Sequence, residues 1–303
     1  MKKTREKIAG FIFLLSAILA VISVLAITIF MIVKGAPAIF KVGASNLLIG
    51  TVWKPTASEP SYGIAYIILS SIVGTLGAVL LGVPIALLTA VFLTDITSET
   101  KTGRKLSKVL SGAVELLAAI PSVIYGLIGL MVLNPFMYKL EKLFFKGSDT
   151  HQFTGGANLL SAIVVLAIMI LPTVINVSCS SIKAVPASLR SASLALGASK
   201  LQTIFKVVLP AAKSGIMTGI VLGIGRALGE AMAINMVAGG AVNLPLPFNS
   251  VRFLTTQLVS EMSYSSGLHR QVLFTVGLVL YLFVMIINLL LTRLRKKGER
   301  END

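Results

Sequence analysis

"SASLALGASKLQTIFKVVLP", residues 191–210, is a polar and basic stretch set between long apolar runs, and its pattern is unusually regular. Ser199 and Gln202 stand at capping-box spacing, in which the serine side chain serves an orphan helix N–H and the glutamine reaches back to the serine's own N–H. Leu201, Ile204, Phe205 and Val208 follow at i, i+3, i+4 and i+7, which is one apolar face of a helix, and Lys200 and Lys206 fall off that face. Upstream, Pro186 suits the opening turn of another helix, and Gly197 interrupts the pattern. The stretch predicts two short helices that meet at a glycine, the second of them amphipathic. Two roles suit such an element: a basic helix lying on lipid headgroups, or a docking element for a partner.

The flanking sequence places this element beside a membrane. The chain has 303 residues, of which 55% are apolar and 13% charged, about half the roughly 25% charge of a soluble domain. Uncharged or nearly uncharged segments run over about 8–33, 62–94, 109–137, 158–182, 214–240 and 271–292. Each can cross a hydrocarbon core of about 30 Å. The second contains Pro84 together with Gly74, Gly77 and Gly82, and is expected as one kinked or tilted span. The first follows "MKKTREK" and precedes Ala36-Pro37-Ala38, the outline of a signal peptide. Its uncharged run of 26 residues exceeds the roughly 7–15 of a signal h-region, so a retained first span is expected. With both termini in the cytoplasm, 18 Lys and Arg fall on the inner side and 8 on the outer, as the positive-inside rule requires. The net charge of +15 is thus a topology signal, spread between apolar runs and not gathered into a nucleic-acid-binding face.

Inside the fifth segment, "GIGRALGEAMA" (223–233) carries Arg226 and Glu230, with no other charge from Ser214 to Val251. A charged residue at mid-span opposes insertion by about 2.5–3.5 kcal/mol, and arginine cannot shed its proton. The i, i+4 spacing puts Glu230 on the face of Arg226, where it can hold or neutralise the guanidinium. Gly223, Gly225 and Gly229 leave room for close helix approach or a ligand. One reading is a buried ion pair that fixes packing. The other is an anion site on a permeation route, since a planar guanidinium offers forked donors to a tetrahedral oxyanion. Glu115 lies about two turns into the third segment, near Pro121, which kinks the helix or opens its backbone. It can snorkel to the interface, brace a neighbouring helix or help gate an exit; a bare carboxylate would repel an anion, so it is no ligand.

The loop at 191–210 resembles the signature loop of ABC importer permeases, Glu-Ala-Ala, three residues, Gly, nine residues, Ile, any residue, Leu-Pro. Gly197 takes the glycine position, Ala198 follows it, and Leu209-Pro210 close the motif. Ser191, Ala192 and Ser193 stand where the family has Glu-Ala-Ala, so the ionic contact of that glutamate does not carry over, whereas the packing role of Ala192 and Gly197 does. "ELLAAIPSVIYG" (115–126), "GIVLGIGRALGEAMA" (219–233) and "SGLHR" (266–270) make the likeness closest to the phosphate-import permeases of PstC type.

The resemblance implies an all-α membrane protein with six transmembrane helices, a type I ABC importer permease fold and a cytoplasmic coupling helix between spans 4 and 5. Leu201 and Phe205 fall within that coupling element. It also implies a homologous second permease (PstA type), a cytoplasmic ATPase dimer (PstB type) and an extracytoplasmic phosphate-binding protein (PstS type). The chain has no G-x-x-x-x-G-K-[S/T] phosphate loop, so ATP and Mg belong on the ATPase, and no cofactor or metal is expected on this chain.

The expected division is 1–61 (basic segment, first span, outer loop), 62–292 (permease core) and 293–303 (tail), in the cell membrane with both ends cytoplasmic. Trp53-Lys54-Pro55 and Phe248-Asn249 are expected as docking surface for the binding protein; Trp53 equally suits an interfacial anchor. His151 and His269 are far apart and show no metal spacing, and Cys179 is a small apolar filler. An ion-coupled carrier relaying charge through Arg226, Glu230 and Glu115 is the alternative transport class, and a permease for sulfate or molybdate the alternative substrate class. An intramembrane protease is excluded: the histidines lie outside the spans, with Asp95 and Asp149 expected in loops.

Overall fold

The computed structural model describes residues 2–96, 101–147 and 151–300; Asp149 and the last three residues of the tail lie outside them. Among the described residues the regular structure is helical apart from a short antiparallel hairpin, β1 (Trp53–Lys54) and β2 (Ser61–Tyr62), and one isolated bridge between Gly239 and Val251. The first helix, α1 (Lys2–Val42), is followed by the short α2 (Ala44–Ile49). The second span, α3 (Ala65–Val91), keeps Pro84 inside it and ends in a π-helical turn, Phe92–Ile96, so the long second segment is one span.

The third segment folds differently from expectation. An amphipathic helix, α4 (Lys101–Ala119), stops short of Pro121, and the apolar span runs over Ser122–Phe144 as α5 (Ser122–Ile128), a π turn and α6 (Asn134–Phe144). Proline disfavours the helical conformation in the residue before it and clashes with the preceding turn. The break therefore falls at Ile120–Pro121, and the span begins after it instead of at residue 109.

Next come α7 (Leu159–Lys183), α8 (Ala187–Ala195), α9 (Lys200–Thr203) with a π turn at Ile204–Val208, and α10 (Leu209–Ala211). The sequence continues through α11 (Lys213–Gly229), α12 (Met232–Val237), α13 (Leu254–Glu261) and α14 (Gly267–Arg300). Among the described residues five helices are long and apolar enough to span a membrane; the pair Lys200–Ala211 and Lys213–Gly229, bent by 69°, makes a sixth.

The central core lies where α3, α5, α7, α11 and α12 meet, around Leu166, Ile170, Ala227, Ala233, Ile234 and Val237. Around it the surface is apolar: Leu80 is 74% exposed and Met131 73%. A water-soluble surface does not carry such a belt; lipid covers it. With lipid outside, helices gain little from apolar area and associate by close packing of small residues. A Cβ on Gly82 would stand 3.0 Å from the Ala167 carbonyl oxygen, and one on Gly126 2.9 Å from the Ala233 Cα.

The same device holds α1 to α14. Gly35 lies against the backbone of Phe274 and Thr275, the Thr275 hydroxyl donates to the Gly35 carbonyl at 2.7 Å, and Thr28 meets Tyr281 at 3.2 Å. Gly35→Val should lower stability by about 1–3 kcal/mol through forced separation of the two helices. Thermal unfolding of the purified protein in detergent checks it, with Gly10→Val as the control, since no atom lies within 4 Å of a Cβ at Gly10.

Candidate functional site

Arg226 sits in the last turn of α11, where the carbonyl end of the helix dipole favours a cation by about 0.3–1 kcal/mol. The guanidinium is half-buried and makes no hydrogen bond or ion pair among the described residues.

Glu230 does not hold it. The helix stops at Gly229, Glu230 is extended (φ −73°, ψ 129°), and the i, i+4 relation is lost with the helix. Instead the Glu230 carboxylate accepts the Ala233 N–H at 3.0 Å and caps α12. Its carbonyl accepts the Thr255 hydroxyl from α13 at 2.6 Å. The expected fifth span, 214–240, is therefore a broken one, with its break at 230–231.

A second break faces this one. At Ile120–Pro121 the Tyr125 hydroxyl donates to the freed Leu117 carbonyl at 2.6 Å, and α5 packs on α12 through Gly126 against Ala233 and Gly129 against Val237. The start of the third span and the break in the fifth thus lie together beside Arg226, which is unpaired among the described residues. Glu115 does not join them: it is exposed on α4, on the far side of the break, because Pro121 ends the amphipathic helix before the span starts. Pro121 takes the position just ahead of the first turn of α5.

The segment after the fourth span forms the two short helices expected, α8 and α9, with Pro186 one residue ahead of the first turn. Gly197 has φ +84°, a conformation that a side chain at this position would strain. The capping box is complete: the Gln202 N–H donates to Ser199 Oγ at 3.3 Å and Ser199 N–H to Gln202 Oε1 at 2.9 Å. The single apolar face does not survive. The π turn at Ile204–Val208 shifts the phase, so Ile204 and Val208 are buried while Leu201 and Phe205 are 61% and 54% exposed. Ser191 and Ala192 are exposed, Ser191 Oγ donating to the Ser188 carbonyl at 3.1 Å. Ala198 and Leu209 are half-buried, and Pro210 is exposed.

At the opposite end of the bundle, residues that sequence spacing did not connect form one cluster. Glu261 of α13 accepts from Trp53 Nε1 (3.0 and 3.1 Å) and Arg252 (2.5 Å) and pairs with His269 (2.8 Å). The cluster borders a cavity of about 830 Å³ lined also by Lys54, Val242 and Tyr264. Trp53 is thus held by a carboxylate from another element. Phe248 packs between Phe144 and Phe145. His151 pairs at 2.9 Å with Glu141, which is fully buried. No group of three metal-ligating side chains occurs among the described residues.

The fold is thus a spanning bundle with a broken fifth span, a third span that starts at a proline facing it, and a short helical hairpin at one end. Residues 82–299 match the family described as "Binding-protein-dependent transport system inner membrane component". The chain is 39% identical over 286 residues to the probable ABC transporter permease protein YqgH of Bacillus subtilis (strain 168), covering 91% of this chain and 88% of that one. It is 34% identical over 263 residues to the phosphate transport system permease protein PstC of Pasteurella multocida (strain Pm70), covering 82% and 80%.

Among solved structures, a bacterial alginate ABC transporter in complex with an alginate pentasaccharide-bound periplasmic protein matches with a TM-score of 0.63, 15% identity and 94% of each chain. An inward-facing MetNI methionine ABC transporter matches with a TM-score of 0.54, 22% identity, and 83% of this chain against 96% of that one. Those likenesses speak for the fold alone. This chain belongs to the binding-protein-dependent transport permeases, the multi-pass inner-membrane component of ABC importers, and has their type I fold.

The geometry at the fifth-span break separates two roles for Glu230. Glu230→Gln keeps an acceptor for the Ala233 N–H and should leave stability within about 0.5 kcal/mol, whereas Glu230→Ala should cost about 1 kcal/mol. Equal losses in the two variants, measured by unfolding in detergent, would mean that the charge and not the cap is what α12 needs.

Proposed function

We propose that this chain is the permease subunit of an ATP-driven importer of inorganic phosphate. The observation that carries the reading is Arg226: a permanent cation within the fifth span, half-buried, beside two helix breaks, with no carboxylate partner among the described residues. Uncompensated charge at membrane depth is costly unless it faces water or a counter-ion, and a guanidinium supplies parallel N–H donors to a tetrahedral oxyanion. The permeases named for phosphate transport among its relatives support that substrate. Glu230, on the same pathway, acts by fixing the break and not by neutralising Arg226.

In this reading a PstS-type binding protein delivers phosphate at the Trp53 end, and a PstA-type permease completes the cavity. A PstB-type ATPase dimer, holding ATP and Mg, docks on the α8–α9 hairpin; this chain carries no ATPase site or cofactor of its own. The exposed apolar residues Leu194, Leu196, Leu201 and Phe205 suit that docking, which is made without a glutamate at position 191. The Lys and Arg distribution supports cytoplasmic termini. Glu115 and Pro121 act at the inner mouth, Pro121 by placing the break and Glu115 as a solvent-facing brace.

Radiolabelled phosphate uptake at micromolar concentration tests the reading in cells lacking this gene, cells with it restored, and cells carrying Arg226→Gln or Arg226→Lys. Restoration should rescue uptake. Arg226→Gln should lower it at least roughly tenfold, equivalent to about 1.4 kcal/mol, and Arg226→Lys less. Sulfate and molybdate should not compete. Rescue of sulfate or molybdate uptake in place of phosphate would reassign the substrate, and collapse on adding an uncoupler while ATP is maintained would favour an ion-coupled carrier. Full uptake by Arg226→Gln would remove Arg226 from the pathway.

A further inference from the structure

The helix α8 has no buried side chain; Leu189 and Leu194 are 44% and 50% exposed. Apolar packing therefore does not fasten it to the bundle. Its main anchor is Arg190. One guanidinium nitrogen donates to Asp95 Oδ1, and the other to the Ile182 carbonyl at 3.0 Å. Asp95, 5% exposed, is presented by the π turn that ends the second span, and its other oxygen accepts from Thr94 Oγ1 at 3.0 Å. Ile182 is in the last turn of the fourth span. A single planar group thus grips the ends of two spans at once.

The hairpin behind Arg190 is stiff. Ser193 and Thr203 hydroxyls meet at 2.9 Å, the Ala198 N–H donates to the Ser193 carbonyl at 3.2 Å, and the capping box fixes the start of α9. A load applied to the exposed face of α8 is carried to Arg190 with little bending in between.

We infer that Arg190 is a positioning residue for coupling: it passes movement of the α8–α9 hairpin to the inner ends of the second and fourth spans. The inference rests on the reading that this hairpin docks an ATPase. The guanidinium suits the task because its donors are fixed in one plane, so Asp95 and the Ile182 carbonyl cannot move independently. An ammonium reaches one acceptor or the other but imposes no such geometry. With the fork removed, Ile204 and Val208 still hold α9 in the core, so the hairpin stays attached but its direct link to Asp95 and the Ile182 carbonyl is lost.

The test uses a whole complex, this chain with a second permease, an ATPase and a binding protein of the proposed types, reconstituted in vesicles. Phosphate uptake and ATP hydrolysis are measured in the same sample. For Arg190→Gln and Asp95→Asn the ATP consumed per phosphate imported should rise by roughly five- to tenfold, within the usual span of coupling factors. Arg190→Lys should fall between these and the wild type, and the exchange Asp95→Arg with Arg190→Asp should recover part of the loss. A packing role would lower uptake and hydrolysis in proportion, and that result overturns the inference. If Arg190→Gln fails to assemble, the ratio is read from Arg190→Lys, where an unchanged value overturns it. A wild-type chain that never associates with an ATPase is a separate result and sinks the transporter reading instead.

Discussion

A hydrocarbon environment supplies no water to an interrupted helix, so every break in a span has to find its own donors and acceptors. That constraint shapes the whole centre of this molecule. At 120–121 the freed Leu117 carbonyl is taken by the Tyr125 hydroxyl. At 230–231 the Glu230 side chain takes the Ala233 N–H, and its carbonyl is taken by Thr255. The start of α7 follows the same rule: the Leu159 and Leu160 N–H groups donate to the carbonyls of Asn249 and Pro247, and Asn158 accepts from Ser161. The Leu254 N–H at the start of α13 is taken by Ser71 of the second span. Some repairs are local, as at Leu117, Ala233 and Ser161; others come from elsewhere in the chain, so that α13 is pinned to the fifth-span break through Thr255 and to α3 through Ser71.

The repairs explain why the polar inventory of the spans is small yet placed with care. Glu230 acts by geometry: bonded to an amide, it leaves Arg226 as uncompensated positive charge beside the facing breaks. Had the pair closed as an ion pair, the two charges would largely cancel and the region would offer an anion little. The terminal-turn position of Arg226 eases its burden through the helix dipole, which is compatible with a cation that engages an anion only transiently.

Much of this was legible in the sequence and some was not, for identifiable reasons. Apolar run length located the first, second, fourth and sixth spans, because burial in lipid demands it of every residue in turn. The capping box at Ser199 and the glycine at 197 were legible because both are local backbone chemistry. The i, i+4 pairing of Arg226 with Glu230 was not realised, since spacing predicts a shared face only while the helix continues, and nothing within five residues of Gly229 announces its end. The nearly uncharged run from residue 109 places Glu115 inside a span, although Pro121 is the stronger punctuation. The Glu261 cluster joins positions 53, 252, 261 and 269, and no periodicity relates residues that tertiary folding alone brings together. Asp95 carried a weak signal: an acidic residue directly ending a long apolar run, which needs a partner as it approaches the core.

Asp95 and Arg226 differ in how their charge is met. Asp95 is buried against Arg190, with both charges and one backbone carbonyl satisfied in a fixed arrangement. Breaking such a pair is costly because it strands a buried charge, which is the property wanted of a joint that must hold under load. Arg226 has no such partner among the described residues, which is the property the proposed function asks of a site that must release what it binds. A pathway arginine locked to its own carboxylate would resist the ion, and a joint built on an unpaired charge would slip. Under the proposed function, the placement of carboxylates, one beside Arg190 and the one nearest in sequence to Arg226 turned away into a helix cap, matches a mechanical contact at the first and a transport contact at the second.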